Sequence, residues 1–312
     1  MSRRLSAILL AVLVTFLWST SWVLIKVGLQ GDLPALTFAG VRYVLASIVV
    51  APWVLAHPGS RSVLRRMPGG VWGRLVLFGI VVYTLTQGSL FLSLSYLPAN
   101  PVTLILNLTP VLVAGASLGL GGERPAAIQG AGVLLASVGV AAFFLPIGSV
   151  PLHPAGLAAL LVCLLANAAS SLMGRSINRR LDVSPLGVTF VSMAAGSVVL
   201  LVTGLATQGP GTWRPLDAWI VIWLAIVNTA LTFTLWNHTL RTLTAVESSI
   251  LNGLMLPQTV LLAYLFLGEG LSSRQIAGLV LVAAGTLVVQ IRREGGSLQP
   301  APESPSPSVV DG

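Results

Sequence analysis

The sequence predicts an all-α membrane protein whose ten transmembrane helices form two inverted five-helix repeats. Three observations predict it. Only 8% of the 312 residues are charged while 55% are hydrophobic, against roughly 25% charged residues in ordinary soluble domains. Apolar runs of about 20 residues, enough helix to cross ~30 Å of hydrocarbon, recur along the whole length. One polar pattern also appears twice at a fixed offset.

The first run, Leu5–Val27, follows Met1, Ser2, Arg3 and Arg4. It is longer than a signal-peptide core and carries Trp18 and Trp22 where small cleavage-site residues would be needed, so it reads as a retained span. The next spans are expected at Pro34–Ala56, Val71–Leu94, Ala99–Leu120 and Ala126–Leu145. The second set is Pro154–Ser176, Pro185–Ala206, Leu216–Leu240, Ala245–Leu267 and Ser273–Ile291. Most connections are a few residues long, which makes consecutive spans antiparallel neighbours. Beyond Arg293 the chain is Gly-, Pro- and Ser-rich and cannot bury enough apolar surface to fold. The expected units are therefore 1–146, 147–293 and a disordered cytoplasmic tail over 294–312.

Net charge +8 would suggest nucleic acid in a soluble protein. Here the basic residues crowd alternate loops instead: Arg3 and Arg4, then Arg61, Arg65, Arg66 and Arg74, then Arg124, then Arg175, Arg179 and Arg180, then Arg241, and last Arg292 and Arg293. The other side receives Lys26, Arg214 and Arg274. That bias predicts both termini in the cytoplasm of a multi-pass protein of the cytoplasmic (inner) membrane, which requires an even number of spans.

The repeat sets the architecture. Glu123, Gln129, Gly132 and Gly139 recur as Glu269, Gln275, Gly278 and Gly285, each 146 residues later. Pro110 and Pro257 stand one residue further apart. Glu and Gln are scarce in this chain, so their agreement in register carries the alignment. A repeat of five spans is odd in number, and its second copy must enter the membrane from the other side. Inverted repeats are a common construction of secondary transporters, with the substrate site near the midplane between the halves.

These residues resemble the drug/metabolite transporter superfamily, specifically its ten-helix EamA-type transporters. The resemblance lies in Leu17-Trp18-Ser-Thr-Ser-Trp22 through Lys26 and Gly28, in Phe38-Ala-Gly-Val-Arg42-Tyr43, and in Asn107-Leu-Thr-Pro110 with Gly122-Glu123-Arg124. Ala245-Val-Glu247 through Asn252, then Pro257, then Gly268-Glu269 repeat the last pattern. Ser19 replaces a glycine common in the family. The resemblance covers Leu5 to Ile291 and implies transport of a metabolite, with amino acids, sugars, nucleotide sugars and phosphorylated compounds among the family's cargos.

Ionisable groups in a span cost at least about 2.5–3.5 kcal/mol, so they face a polar cavity or a partner. Arg42, two turns into the second span, suits a substrate carboxylate or phosphate, or alternatively backbone carbonyls. Trp18, Trp22, Tyr83, Gln87, Asn107, Asn167, Asn228 and Asn252 fall at mid-membrane depth, where amides need partners across helices or in a wet cavity. Trp18, Trp22, Arg42, Tyr83, Gln87, Asn107 and Asn252 are the candidate substrate-binding set. Glu247 is a candidate for substrate amine or coupling proton, or a helix cap. Pro110 and Pro257 are candidate hinges or packing bends. Lys26 is expected to snorkel to the interface, His238 to be interfacial, and Glu123 and Glu269 to be tethers or caps.

Cys163 is the only cysteine, which excludes an intramolecular disulfide and a Cys-based zinc site. There is no Walker loop, metal-ligand cluster, nucleophile elbow or nucleic-acid motif. The expected partners are a lipid bilayer and a small solute, without cofactor, metal or nucleic acid; monomer and homodimer both remain open. The chosen function is a secondary transporter of a small amphipathic metabolite, an amino acid or related compound, moved outward by alternating access. A membrane-embedded enzyme and a non-transporting structural or receptor-like bundle are the other classes. His57, His153 and His238 are far apart and unpaired, which disfavours the enzyme.

Overall fold

The computed structural model describes residues 3–56, 58–109, 111–113, 116, 127–145, 153–180, 185–239 and 251–290. All regular structure among them is helical. In hydrocarbon every backbone N–H and C=O must be satisfied within the chain, which an apolar helix does by itself. The helices are α1 (Arg3–Gly28), α2 (Ala35–Leu55), α3 (Gly69–Tyr96), α4 (Ala99–Leu106) and α5 (Ala127–Phe144). The second set is α6 (Pro154–Arg180), α7 (Pro185–Gln208), α8 (215–239), α9 (Met255–Leu267) and α10 (Ser273–Gln290). Five described helices are long and apolar enough to cross a membrane, and five shorter ones are apolar over 10–17 residues. A surface helix between the second and third spans, Pro58–Arg66, carries Arg61, Arg65 and Arg66 where no helix is expected from hydropathy.

Two departures from α geometry fall at matching places. α3 widens into a π-helix over Ile80–Gln87 and α8 over Ile226–Leu231, both starting at the same register of the 146-residue offset. In each, a threonine hydroxyl donates to the carbonyl five residues back: Thr86 to Val81 and Thr229 to Leu224, both at 2.8 Å. Such π-bulges are frequent at functional sites.

The fourth and ninth spans break one turn before Pro110 and Pro257 in sequence. α4 ends at Leu106, and the chain tightens to a three-residue bond from Leu108 N–H to Ile105. Leu254, three residues ahead of Pro257, makes the same bond to Leu251. Pro257 then occupies the first turn of α9, where a missing N–H costs little. Pro110 lies outside the described residues.

Packing obeys a pseudo-two-fold. Contacts of α1 with α8 and α9 have counterparts in α6 with α3 and α4, and α2 on α8 is matched by α7 on α3. The pairs α2 with α7, α4 with α9 and α5 with α10 map onto themselves and lie on the axis. Glycines make the α5–α10 seam possible: a Cβ on Gly139 would meet the Gly278 carbonyl at 2.7 Å, and one on Gly285 the Gly132 carbonyl at 2.6 Å. The offset exchanges these two contacts, so the halves are inverted copies.

On the face opposite the arginines, side chains of the second half close helix ends of the first. Gln208 accepts from Leu36 N–H at 2.8 Å at the start of α2, and Thr37 donates to the Gly209 carbonyl at 2.7 Å. Gly268, at φ 65°, ends α9 in the left-handed conformation, and the turn delivers Glu269 to α4. The Glu269 carboxylate accepts from the Ala99 and Asn100 N–H groups at 2.7 and 3.0 Å. It thus serves as the cap expected of it.

Candidate functional site

Arg42 stands two turns into α2 and is 5% exposed. Nothing in α2 neutralises it, so the surrounding helices must. Its Nε and Nη2 both donate to Thr229 Oγ1 at 3.2 Å. The single Thr229 hydroxyl proton is already committed to the Leu224 carbonyl, which leaves the oxygen free to act as an acceptor. The π-helical turn of α8 carries Thr229 and sets its hydroxyl against the carbonyl five residues back. The Arg42 guanidinium also lies 5.0 Å from the Tyr43 ring centroid and 5.8 Å from that of Phe91, both within cation–π range. Among the described residues it meets no carboxylate; Arg214 pairs with Asp217 instead, 2.6 Å apart at the start of α8.

Tyr83, from the π-helical turn of α3, packs its ring 5.4 Å from Tyr43. Tyr83 and Thr229 occupy the same position in the two repeats; Thr229 meets Arg42 directly, while Tyr83 is reached through the Tyr43 ring. Trp22 packs against the same buried cluster, which includes Tyr43, Tyr83 and Phe91. Trp18 is reached through α8: its Nε1 donates to Thr232 Oγ1 at 2.9 Å, and Thr232 donates to the Thr229 carbonyl at 3.2 Å. Phe233 and Trp236 flank the Trp18 indole at 5.7 and 5.3 Å. Asn228 donates to the Leu17 carbonyl and, at 2.9 Å, to Thr20 Oγ1, which fastens α8 to α1.

The structure thus sets Trp18 and Arg42 against one polar strip of α8, with Tyr83 reached through Tyr43 and Trp22 packed on the apolar cluster that includes both tyrosines. It does not bring the other three candidates there. Asn107 turns its amide back onto its own helix, donating to the Thr103 carbonyl at 2.9 Å. Asn252 is exposed at the start of the described part of the ninth span. Gln87 is half-buried at the end of the π-helical turn, without a hydrogen bond to the Arg42 group. Depth in the membrane selected all three, but depth does not say which way a side chain points. Glu247 and Glu123 lie outside the described residues. Lys26 corrects another expectation: it turns inward, and its Nζ donates to the Leu94 and Leu97 carbonyls at 2.9 and 2.8 Å, the orphan acceptors at the end of α3. Cys163 is buried with Sγ 3.2 Å from the Thr86 carbonyl.

Thr229, Thr232 and Phe91 were missed by sequence reasoning. Threonine is unremarkable in an apolar helix, and the available signal was the repeat offset that equates Thr229 with Tyr83 and Thr232 with Thr86. A separate groove of about 300 Å³ lies between Leu24 and the outer surface of α8 at Trp219, Trp223 and Ile226. Its lining is apolar and offers a solute nothing to bind except hydrocarbon.

The model of the EamA-like transporter family matches residues 5–145 and again 154–291. Protein PecM of Dickeya dadantii is 25% identical over 276 residues, covering 88% of each chain. An uncharacterized transporter of Archaeoglobus fulgidus is 25% identical across 91% of this chain and 97% of its own. The uncharacterized transporter YvbV of Bacillus subtilis is 24% identical with 92% of both chains covered. A solved crystal structure superposes with a TM-score of 0.64 at 21% identity, covering 91% of this chain and 97% of the other, a likeness of fold.

Proposed function

The chain belongs to the EamA-like transporter family, and from that premise we propose that it is a secondary transporter exporting a small amphipathic metabolite, an amino acid or related compound, across the cytoplasmic membrane by alternating access. The observation that carries the reading is the buried Arg42, whose only hydrogen-bond acceptor among the described residues is the neutral Thr229 hydroxyl. A packing arginine at this depth would be expected to spend its donors on carbonyls or an acid. Arg42 instead keeps part of its guanidinium fork for an anionic group, with Tyr43, Tyr83, Phe91 and Trp22 as walls for an apolar body. The π-helical turns at matching places in α3 and α8 border this site and give it segments able to shift register when the halves rearrange.

Transport follows from differential binding: a solute that neutralises Arg42 in both orientations allows the site to cross between faces, and the inverted repeat supplies two such states of similar energy. The test is flux in proteoliposomes containing the full-length protein, with cargo chosen from growth protection against a panel of toxic amino-acid and nucleobase analogues. Arg42→Gln and, separately, Trp22→Ala are expected to cut flux at least about tenfold or change the preferred cargo while insertion and extraction stay normal. If both variants transport like the parent at equal expression, these residues only pack.

A further inference from the structure

Resting on the reading of the Arg42 group as the substrate site, and narrowing its cargo from amino acids to related compounds that lack the amine, we propose that its solute is a monoanion, a carboxylate on an apolar body. The juxtaposition that carries this is a buried cation with one neutral acceptor, flanked by the Tyr43 and Phe91 rings, with Tyr83 packed on Tyr43. Nε and one Nη2 proton are used by Thr229. The second Nη2 proton and the two of Nη1 remain, and the outer edge of the guanidinium presents two of these in parallel, the fork that a planar carboxylate accepts. Nη1 meets no acceptor among the described residues and keeps a little accessible surface in a side chain whose residue is 5% exposed.

A zwitterionic amino acid would bring an ammonium within a bond or two of that carboxylate. Thr229 cannot neutralise it, the rings already face one cation, and Arg42 itself repels a second. The chain has nine acidic residues. Asp32, Asp217 and Glu269 sit at the face opposite the arginines, where Asp217 is paired with Arg214 and Glu269 with the start of α4. These three are the acids among the described residues, and none of them meets Arg42, so the group as described holds no counter-charge for an ammonium. A monoanion neutralises the site outright and leaves no charge unpaired.

Three probes share one skeleton: 3-phenylpropionate, L-phenylalanine and phenethylamine carry the acid, both groups and the amine. Their binding to the full-length protein in lipid nanodiscs is measured by calorimetry, and their uptake by competition in proteoliposomes. The expected result is that 3-phenylpropionate binds at least about tenfold more tightly than phenylalanine, with phenethylamine not binding. Arg42→Gln should abolish the preference at an unchanged elution profile, and Arg42→Lys should keep part of it. Phenylalanine binding as tightly as the acid in the parent, and weakly in Arg42→Gln, overturns the monoanion while leaving Arg42 as the site. Equal binding by parent and Arg42→Gln overturns the site and the monoanion together. Failure of the acid to bind the parent overturns the monoanion.

Discussion

Thr229 shows how one neutral side chain can position a buried charge. Its proton goes to Leu224 and its oxygen to Arg42, so Thr229→Val removes the acceptor of the guanidinium and the donor to the Leu224 carbonyl in one isosteric step. The expected cost is about 1.5–3 kcal/mol for the hydrogen bond to a charged group, read as a lower thermal midpoint in detergent. Solute binding should also weaken about tenfold, with Thr229→Ser restoring most of both; unchanged binding in Thr229→Val would show that Arg42 is held by the rings alone. At this scale the sequence was half legible. Arg42, Tyr83, Trp18 and Trp22 announce themselves because charge and large rings are rare in an apolar helix. Asn107 looked equivalent until its amide was seen to fold back on Thr103; depth sets the need for a partner, and azimuth chooses it.

Helices were the most legible level, because a run of apolar residues long enough to span has no other stable state in a bilayer. Expected and observed ends mostly agree within a few residues, as for Pro154 and Pro185 at the starts of α6 and α7. The surface helix Pro58–Arg66 escaped notice because its polar residues carry no spanning signal. The π-helical turns escaped because they depend on threonine bonds to carbonyls five residues back, which no propensity records. Caps between halves also depend on tertiary placement. Glu269 closes the start of α4, and its replacement by Ala should cost about 0.5–2 kcal/mol, typical of a lost N-cap. Hydrogen exchange is expected to rise over Ala99–Leu106 in Glu269→Ala and less in Glu269→Gln, which keeps one acceptor oxygen. Protection unchanged in both variants would mean that α4 is held by packing alone.

For the molecule as a whole, the constant offset in sequence reappears as exchanged contacts between α5 and α10, so a pattern in a few Glu, Gln and Gly positions was enough to foretell the symmetry. An even number of spans would put both termini on one side, and from the arginine bias we propose that this side is the cytoplasm. Reporter fusions after Arg293 should be active only with a cytoplasmic reporter; activity only with a periplasmic reporter would reverse the assignment. The symmetry is broken in side-chain chemistry, since Tyr83 and Thr229 hold one position in the repeat as a ring and a hydroxyl. The cap on α4 also has a consequence for how the chain is made. Glu269 lies 170 residues after Ala99, and at ~5–20 residues per second of synthesis it leaves the ribosome about 10–30 s later. During that interval the nascent first half sits in the bilayer with a helix end bare, dependent on the insertion machinery or on water at the headgroups until its acid arrives.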